Sequence, residues 1–455
     1  MEVIVFSFGG LGVLLLLGKY IRIKVKLFQK FFIPSSVIGG LLGLLLIQVL
    51  LSLNKFPLLD KIIYVWKASP GFLISIVFAT LFLGKKIPNI KTIWRLGGIQ
   101  LYYGQTVAWG QYVVGLGLVL ILLGPVFHIN PMFGALINIG FEGGHGTAAG
   151  LIESFKSLNW EEGMSLALGS ATIGVFAGVI IGTILINIAC RRGETEILEK
   201  PEKIPEDFLR GIPSKEKRES AGVLTTSVES IEPLAYHTSF IGLAIIIGYF
   251  IRLLLIFIES LLFTPLGLSK IMEYFPLFPL AMIGGVIIQI IMNRLDKQDT
   301  IDNKLMMRIH GLSLDFLIVA ALATISIQAI WSEIVPFVLL MIVGVGWNVF
   351  CVLVIAPRIF PNAKFERSIA EFGQSTGVTA TGLLLLRIVD PDAKTPALEA
   401  FGYKQLLHEP IMGGGLWTGA AMPLIYNHGP FAIFMFALSM LILWTIAYRF
   451  LFYNK

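Results

Sequence analysis

The segment Glu142-Gly143-Gly144-His145-Gly146-Thr147, inside the run FEGGHGTAAG, sets a carboxylate and an imidazole on either side of two glycines. Consecutive glycines let the backbone turn and bring bare N–H groups up to a ligand. A short helix starting in the following AAGLIESF would turn its N-terminal amides and positive dipole end toward a carboxylate. The same small residues also permit close helix packing. Packing alone gives no reason for Glu142 and His145, because ionisable groups in an apolar interior are costly. Their separation of three differs from the four of a zincin helix, and no nucleophile or complete metal-ligand set accompanies them, so an enzyme is not expected.

A second segment, Glu371-Phe372-Gly373-Gln374-Ser375-Thr376-Gly377-Val378-Thr379, gathers hydroxyl and amide oxygens beside a carboxylate. Hard oxygen donors of this kind, with unwound backbone carbonyls, suit sodium. Gln374, Ser375, Thr376, Gly377 and Thr379 join residues 142–147 as candidate solute contacts, and Glu371, Asp315 and Asn138 are candidate sodium ligands. Proton coupling through Glu142, His145 or Glu371 is equally compatible. The plain alternative for Ser375, Thr376 and Thr379 is back-bonding to helix carbonyls. Asp315, inside the span that starts at His310, reads either as an ion site or as a helix-end carboxylate at the membrane surface. His408-Glu409, ahead of Pro410 and Gly413-Gly414-Gly415, reads as interfacial. Asn138, Gln105 and Gln111 each read first as interhelical hydrogen bonds.

These residues need lipid-buried elements to position them. The 455 residues are 56% hydrophobic and 14% charged, and the mean hydropathy is +0.81, so the solvent of most of this chain is a lipid bilayer. Apolar runs of about 20 residues, the length that crosses a bilayer, fall near 3–18, 32–53, 68–84, 97–124, 164–190, 238–258, 274–292, 309–331, 334–356, 406–427 and 430–449. The stretches 131–152 and 365–387 are apolar but crowded with Gly, Ser and Thr and read as re-entrant hairpins. Irregular backbone at membrane depth survives only where protein or a cavity satisfies it. Cys190 and Cys351 lie near ends of runs placed toward the cytoplasm and imply no disulfide framework. The first run, with Glu2 ahead and five basic residues behind, is the reverse of a signal peptide and reads as a retained span.

Of the 35 Lys and Arg residues, 29 fall in the loops 19–31, 85–96, 191–237, 293–308, 357–367 and 387–405 and the C-terminal tail, against five in loops of the other side. Under the positive-inside rule this places the N-terminus outside and the tail in the cytoplasm of an inner-membrane protein. The net charge of +6 thus reports orientation and not a nucleic-acid partner. Residues 191–237, rich in acids and carrying Pro201, Pro205 and Pro213, form a cytoplasmic linker between an N-terminal repeat, 1–190, and a C-terminal one, 238–455. IPSSVIGGLLGLLL at 33–46 resembles FPLAMIGGVIIQII at 278–291, Gly71 and its run match Gly311, and FEGGHGTAAGL at 141–151 pairs with FGQSTGVTATGL at 372–383. Five spans before the linker invert the second set across the membrane, the arrangement in which transporters form sites at broken helices.

At GGHGT (143–147), SATIG (170–174), the IPxxVxGG pattern (33–40) and the Gly-containing segment from Glu371 to Thr381, the chain resembles the sodium/glutamate symporter family. The resemblance implies an all-α fold of two inverted five-span repeats, each with a re-entrant hairpin, here with a further C-terminal helix. It implies a homodimer that moves a transport domain against a scaffold, with sodium as the coupling ion and an amino acid or dicarboxylate, glutamate by default, as the solute. Gly143, Gly144, His145 and Gly146 correspond by position to the family's first hairpin turn, and Gly373, Gly377 and Thr379 to its second. Glu142 departs from a small polar residue, and Gln374, Ser375 and Thr376 from a glycine-richer run. Extra carboxylates would repel an anionic solute unless protons, cations or a cationic group of the solute neutralise them. A channel is the competing reading, since re-entrant loops also build filters.

Overall fold

The computed structural model describes residues 2–30, 33–53, 58–85, 90–197, 210–212, 214–218, 220–262, 272, 275–391 and 393–451. Lys55, Lys86, Lys200, Lys203, Lys270 and Lys455 of the charge distribution, and Pro201, Pro205 and Pro213 of the linker, lie outside the described residues. The principal helices are α1 (Glu2–Lys24), α2 (Ser35–Leu53), α3 (Leu59–Thr80), α4 (Ile90–Leu118), α5 (Leu136–Phe141), α6 (Gly144–Gly150), α7 (Glu162–Arg192), α8 (Pro233–Leu262), α9 (Phe278–Leu295), α10 (Asn303–Ala323), α11 (Ile334–Phe350), α12 (Lys364–Val389), α13 (Ala397–His408) and α14 (Leu416–Leu451). No strand occurs among the described residues.

Ten helices among the described residues are long and apolar enough to cross a membrane, and the chain is an all-helical multi-pass membrane protein. The eleven expected runs fall on ten helices because 406–427 and 430–449 share α14. This helix bends at Gly429, at φ 81° and ψ 160°, where a glycine takes a left-handed conformation and Pro430 has no N–H to continue the ladder. The run expected from 68 begins earlier, at Leu59. Asp60, Lys61 and Lys67 all lie on its exposed side, so their charges do not end the helix.

The stretches 131–152 and 365–387 are helical but interrupted at their glycines. In the first, a 3-10 turn over Pro131–Ala135 leads into α5, and α6 starts after Glu142 and Gly143, with Gly144 at φ +66°. In the second, α12 is non-helical at Gly377 (φ −139°, ψ 35°) and Val378 (φ 62°, ψ 174°). The chain folds back there: a β-carbon on Gly373 would lie 2.7 Å from the Cα of Gly382, whereas nine residues of straight helix span about 13.5 Å. A further pair of irregularities recurs. α4 and α11 both run into a π-helical turn, Val119–Leu123 and Cys351–Ile355, followed by a single helical turn carrying Pro125 or Pro357. A proline ring collides with the carbonyl four residues back, and a wide turn relieves that contact.

The chain forms two compact units, each drawing on both halves of the sequence: 1–87, 149–157 and 206–325 make the first, and 88–148, 158–205 and 326–455 the second. In the first, α1, α2, α3 and α10 enclose a core that includes Leu11, Leu14, Ile47, Trp66 and Val319, and Trp66 donates its indole N–H to the Ser7 carbonyl at 3.1 Å. In the second, α7 packs on α12 through small residues. A β-carbon on Gly178 would lie 2.6 Å from Thr376 Oγ1, and one on Gly182 2.5 Å from Leu385 Cδ1. Close backbone approach of this kind drives helix association where lipid removes the hydrophobic contrast. Leu185, Ile186, Ile369, Phe372, Leu385 and Phe401 fill the core that results. All the residues of the site described next belong to this second unit.

Candidate functional site

The two helix breaks touch each other. A β-carbon on Gly144 would collide with Val378 Cγ1, and the Ser375 hydroxyl donates to Glu142 Oε1 at 3.1 Å. The break at Gly377 and Val378 interrupts the backbone ladder, and the carbonyl of Ser375 ahead of it takes side-chain donors. Gln111 Nε2 reaches it at 2.7 Å and Asn348 Nδ2 at 2.6 Å. A buried carbonyl left unpaired would cost about 1–3 kcal/mol. Gln111 Nε2 also donates to Asn348 Oδ1 at 3.2 Å, so Gln111 Oε1 faces the other way and accepts from Asn138 Nδ2 at 3.1 Å. Asn138 Oδ1 then has no hydrogen-bond partner among the described residues.

The other oxygen of Glu142 is held by a directional chain. Trp109 can only donate, and its indole N–H meets Gln105 Oε1 at 2.9 Å. That fixes the Gln105 amide nitrogen on His408 Nδ1, 3.1 Å away. Nδ1 is therefore an acceptor, and the ring proton sits on Nε2, which donates to Glu142 Oε2 at 3.1 Å. Glu142 is thus a buried carboxylate with one donor on each oxygen and a neutral imidazole beneath it. Trp109 packs on Trp417 with ring centroids 4.8 Å apart, which holds the start of the chain in place.

Glu371 sits differently. Lys404 Nζ contacts its Oε1 at 2.7 Å, with both side chains fully buried, and Gln100 Nε2 donates to its Oε2 at 3.0 Å. Lys404 Nζ also donates to Gln374 Oε1. Space for the ammonium comes from Gly104 in α4, where a β-carbon would overlap Lys404 Cε and lie 2.7 Å from Glu371 Oε1.

The remaining candidates divide. Thr376 bonds back to the Phe372 carbonyl at 2.6 Å, as the plain alternative for that residue holds, while Thr379 accepts from Gln405 Nε2 at 2.6 Å. His145 points to Thr172, Nε2 to Oγ1 at 3.0 Å. The Thr172 proton is already given to the Leu168 carbonyl at 2.9 Å, so His145 is the donor. Gly146 and Thr147 are buried in α6, Thr147 against Gly143. Asp315 belongs to α10 of the first unit, on an exposed position. Lys404, placed by the charge distribution in a cytoplasmic loop at 387–405, is instead a wholly buried residue of α13. His408, expected at an interface, is buried as well. One signal points to both. The buried positions of α13 are 397, 400, 401, 404, 405 and 408, a helical stripe that starts with Ala and Phe and continues without a break through Lys, Gln and His.

Residues 7–362 match the family model described as Sodium/glutamate symporter. The chain belongs to the sodium/glutamate symporter family. Membership makes it a sodium-coupled secondary transporter, in agreement with the resemblance carried by GGHGT. The match includes α5, α6 and Glu142 and ends ahead of α12, so Glu371, Lys404 and His408 lie beyond the residues that place this symporter in its family. No curated protein and no solved structure matches the chain.

Proposed function

We propose that this symporter carries an α-amino acid together with sodium, and that both bind where the two helix breaks meet. The observation that carries the reading is the charge of that place. Glu371 is cancelled by Lys404 within the protein, and His408 is held neutral by its hydrogen bonds. Glu142 is left as the one carboxylate without a cation of its own. A second net negative charge, as on a dicarboxylate, is repelled there, whereas a solute ammonium group or a sodium ion completes the site. Asn138 Oδ1, short of a donor, is the kind of oxygen that sodium takes. Glutamate remains within this class through its ammonium group, and Ser375, Thr379 and Gln374 are the polar contacts for the rest of the solute.

The π turns of α4 and α11, 232 residues apart, and the pairing of Phe141 with Phe372, 231 apart, support two repeats of inverted orientation, 1–190 and 238–455, with re-entrant hairpins. The second unit carries the whole site and is our candidate for the transport domain of an elevator-like cycle. A homodimer in the inner membrane, N-terminus outside, completes the reading. Purified protein in liposomes is the test. A sodium gradient should drive saturable uptake of amino acids, and a dicarboxylate without an amino group should compete poorly. Equal uptake without the gradient, or preference for the plain dicarboxylate, overturns it.

A further inference from the structure

Glu371 has the surroundings of a cation site with the cation already present. Its Oε1 and the Gln374 Oε1, one helical turn apart on α12, both point to one nitrogen, Lys404 Nζ. A carboxylate oxygen and an amide oxygen beside a helix break are the donors that a hard monovalent ion takes in a transporter. An ammonium is itself a monovalent cation, and such oxygens accept its N–H groups. The room for it is made by the chain: Gly104 leaves space at Lys404 Cε and Glu371 Oε1, Gln100 occupies the second Glu371 oxygen, and the Phe401 ring centroid lies 5.7 Å from Nζ. Replacing a buried ion pair by apolar groups is commonly neutral or stabilising, so packing alone gives no reason for an ammonium here.

We infer that Lys404 is a tethered cation, its ammonium filling a position that a coupling sodium would otherwise occupy at Glu371 and Gln374. This rests on the sodium-coupled reading of the same site. It restricts the mobile sodium to the Glu142 side and sets the ion stoichiometry one lower than an empty Glu371 site would give.

The test measures sodium-dependent thermal stabilisation of the purified full chain in detergent, with choline as the reference salt, because an ion that binds only the folded state raises its melting point. Lys404→Met keeps the stem and removes the charge. It should melt lower than the parent in choline and regain stability in sodium, with a Hill coefficient for sodium higher by about one than the parent's. Lys404→Met combined with Glu371→Gln should return to the parent coefficient. An unchanged coefficient in Lys404→Met overturns the proposal. So does failure of that variant to fold in saturating sodium while the double variant folds, because sodium then does not replace the ammonium. If neither variant folds in sodium, the pair is a structural brace and the proposal also falls. An unmodified protein that sodium does not stabilise at all counts against sodium coupling itself, which separates the two failures.

Discussion

Gly144 and Val378, both at positive φ, stand against each other at the two helix breaks, with no space for a β-carbon on Gly144 beside Val378 Cγ1. The contact joins α6 to the turn of α12, and the Glu142 to Ser375 hydrogen bond lies beside it. Gly144→Ala adds a left-handed alanine and an overpacked methyl, together about 3 kcal/mol of destabilisation. Gly144→Ala with Val378→Ala should recover the packing part and leave the backbone part. Melting curves of the three proteins check this, and a single variant as stable as the parent would show that the breaks do not press together.

Alanine in place of a helical glycine normally stabilises by roughly 0.5–1 kcal/mol. Gly104→Ala should do the opposite, since its methyl displaces Lys404 from Glu371, and separating a buried pair costs about 3–5 kcal/mol. Gly402→Ala, in α13 with nothing near its would-be β-carbon, should follow the normal rule. Opposite signs in chemical unfolding are the expected outcome. Equal signs would contradict the tight fit at Lys404.

Glu142→Gln separates charge from architecture. The glutamine oxygen can keep the His408 N–H, and the Ser375 hydroxyl can rotate to accept from the new amide. Stability should therefore change by less than about 1 kcal/mol. Sodium-driven uptake should fall at least about tenfold, equivalent to ~1.4 kcal/mol. Uptake in liposomes and melting of the same preparation decide it, and a fully active Glu142→Gln protein would remove Glu142 from the ion and solute site.

The acid side of stability has a local contributor at the end of α9. The Thr300 hydroxyl beside Asp296 holds its carboxyl below the usual range, helped by the N–H groups of Gln298 and Thr300. A depressed folded-state value means that the contribution is complete above the unfolded value, about 3.9. It is lost as pH falls through the folded value. The group is mostly exposed, so the effect is small. Melting points of Asp296→Asn and the parent should converge below about pH 4 and diverge above it. Curves that stay parallel from pH 3 to 7 would contradict the assignment.

The spans and both interrupted stretches were legible because long apolar runs and clustered glycines are local signals. Glu142, Ser375 and Asn138 stood inside those stretches; in the folded chain Ser375 bonds Glu142, and Asn138 is tied to the Ser375 carbonyl through Gln111. Lys404 was not legible in the same way. A lysine just ahead of an apolar run is read as a loop charge by the rule that sets orientation, and only the helical stripe of α13 marks it as buried. The charge balance of the site is not readable from the motifs for that reason, since the neutralising group of Glu371 lies 33 residues away in the chain. Gln105 and Trp109 had no signal beyond being polar or aromatic, because their importance lies in which way an amide is turned, a property of three-dimensional partners.

That turned amide has a consequence for traffic through the site. With the Trp109 indole committed to Gln105 Oε1, the Gln105 nitrogen stays lodged on His408 Nδ1, and the imidazole cannot take up a fresh proton from behind as it hands one forward. His408 is a fixed strut under Glu142, unsuited to relaying hydrogen ions in succession. A particle that brings its own charge intact needs none of this wiring to move.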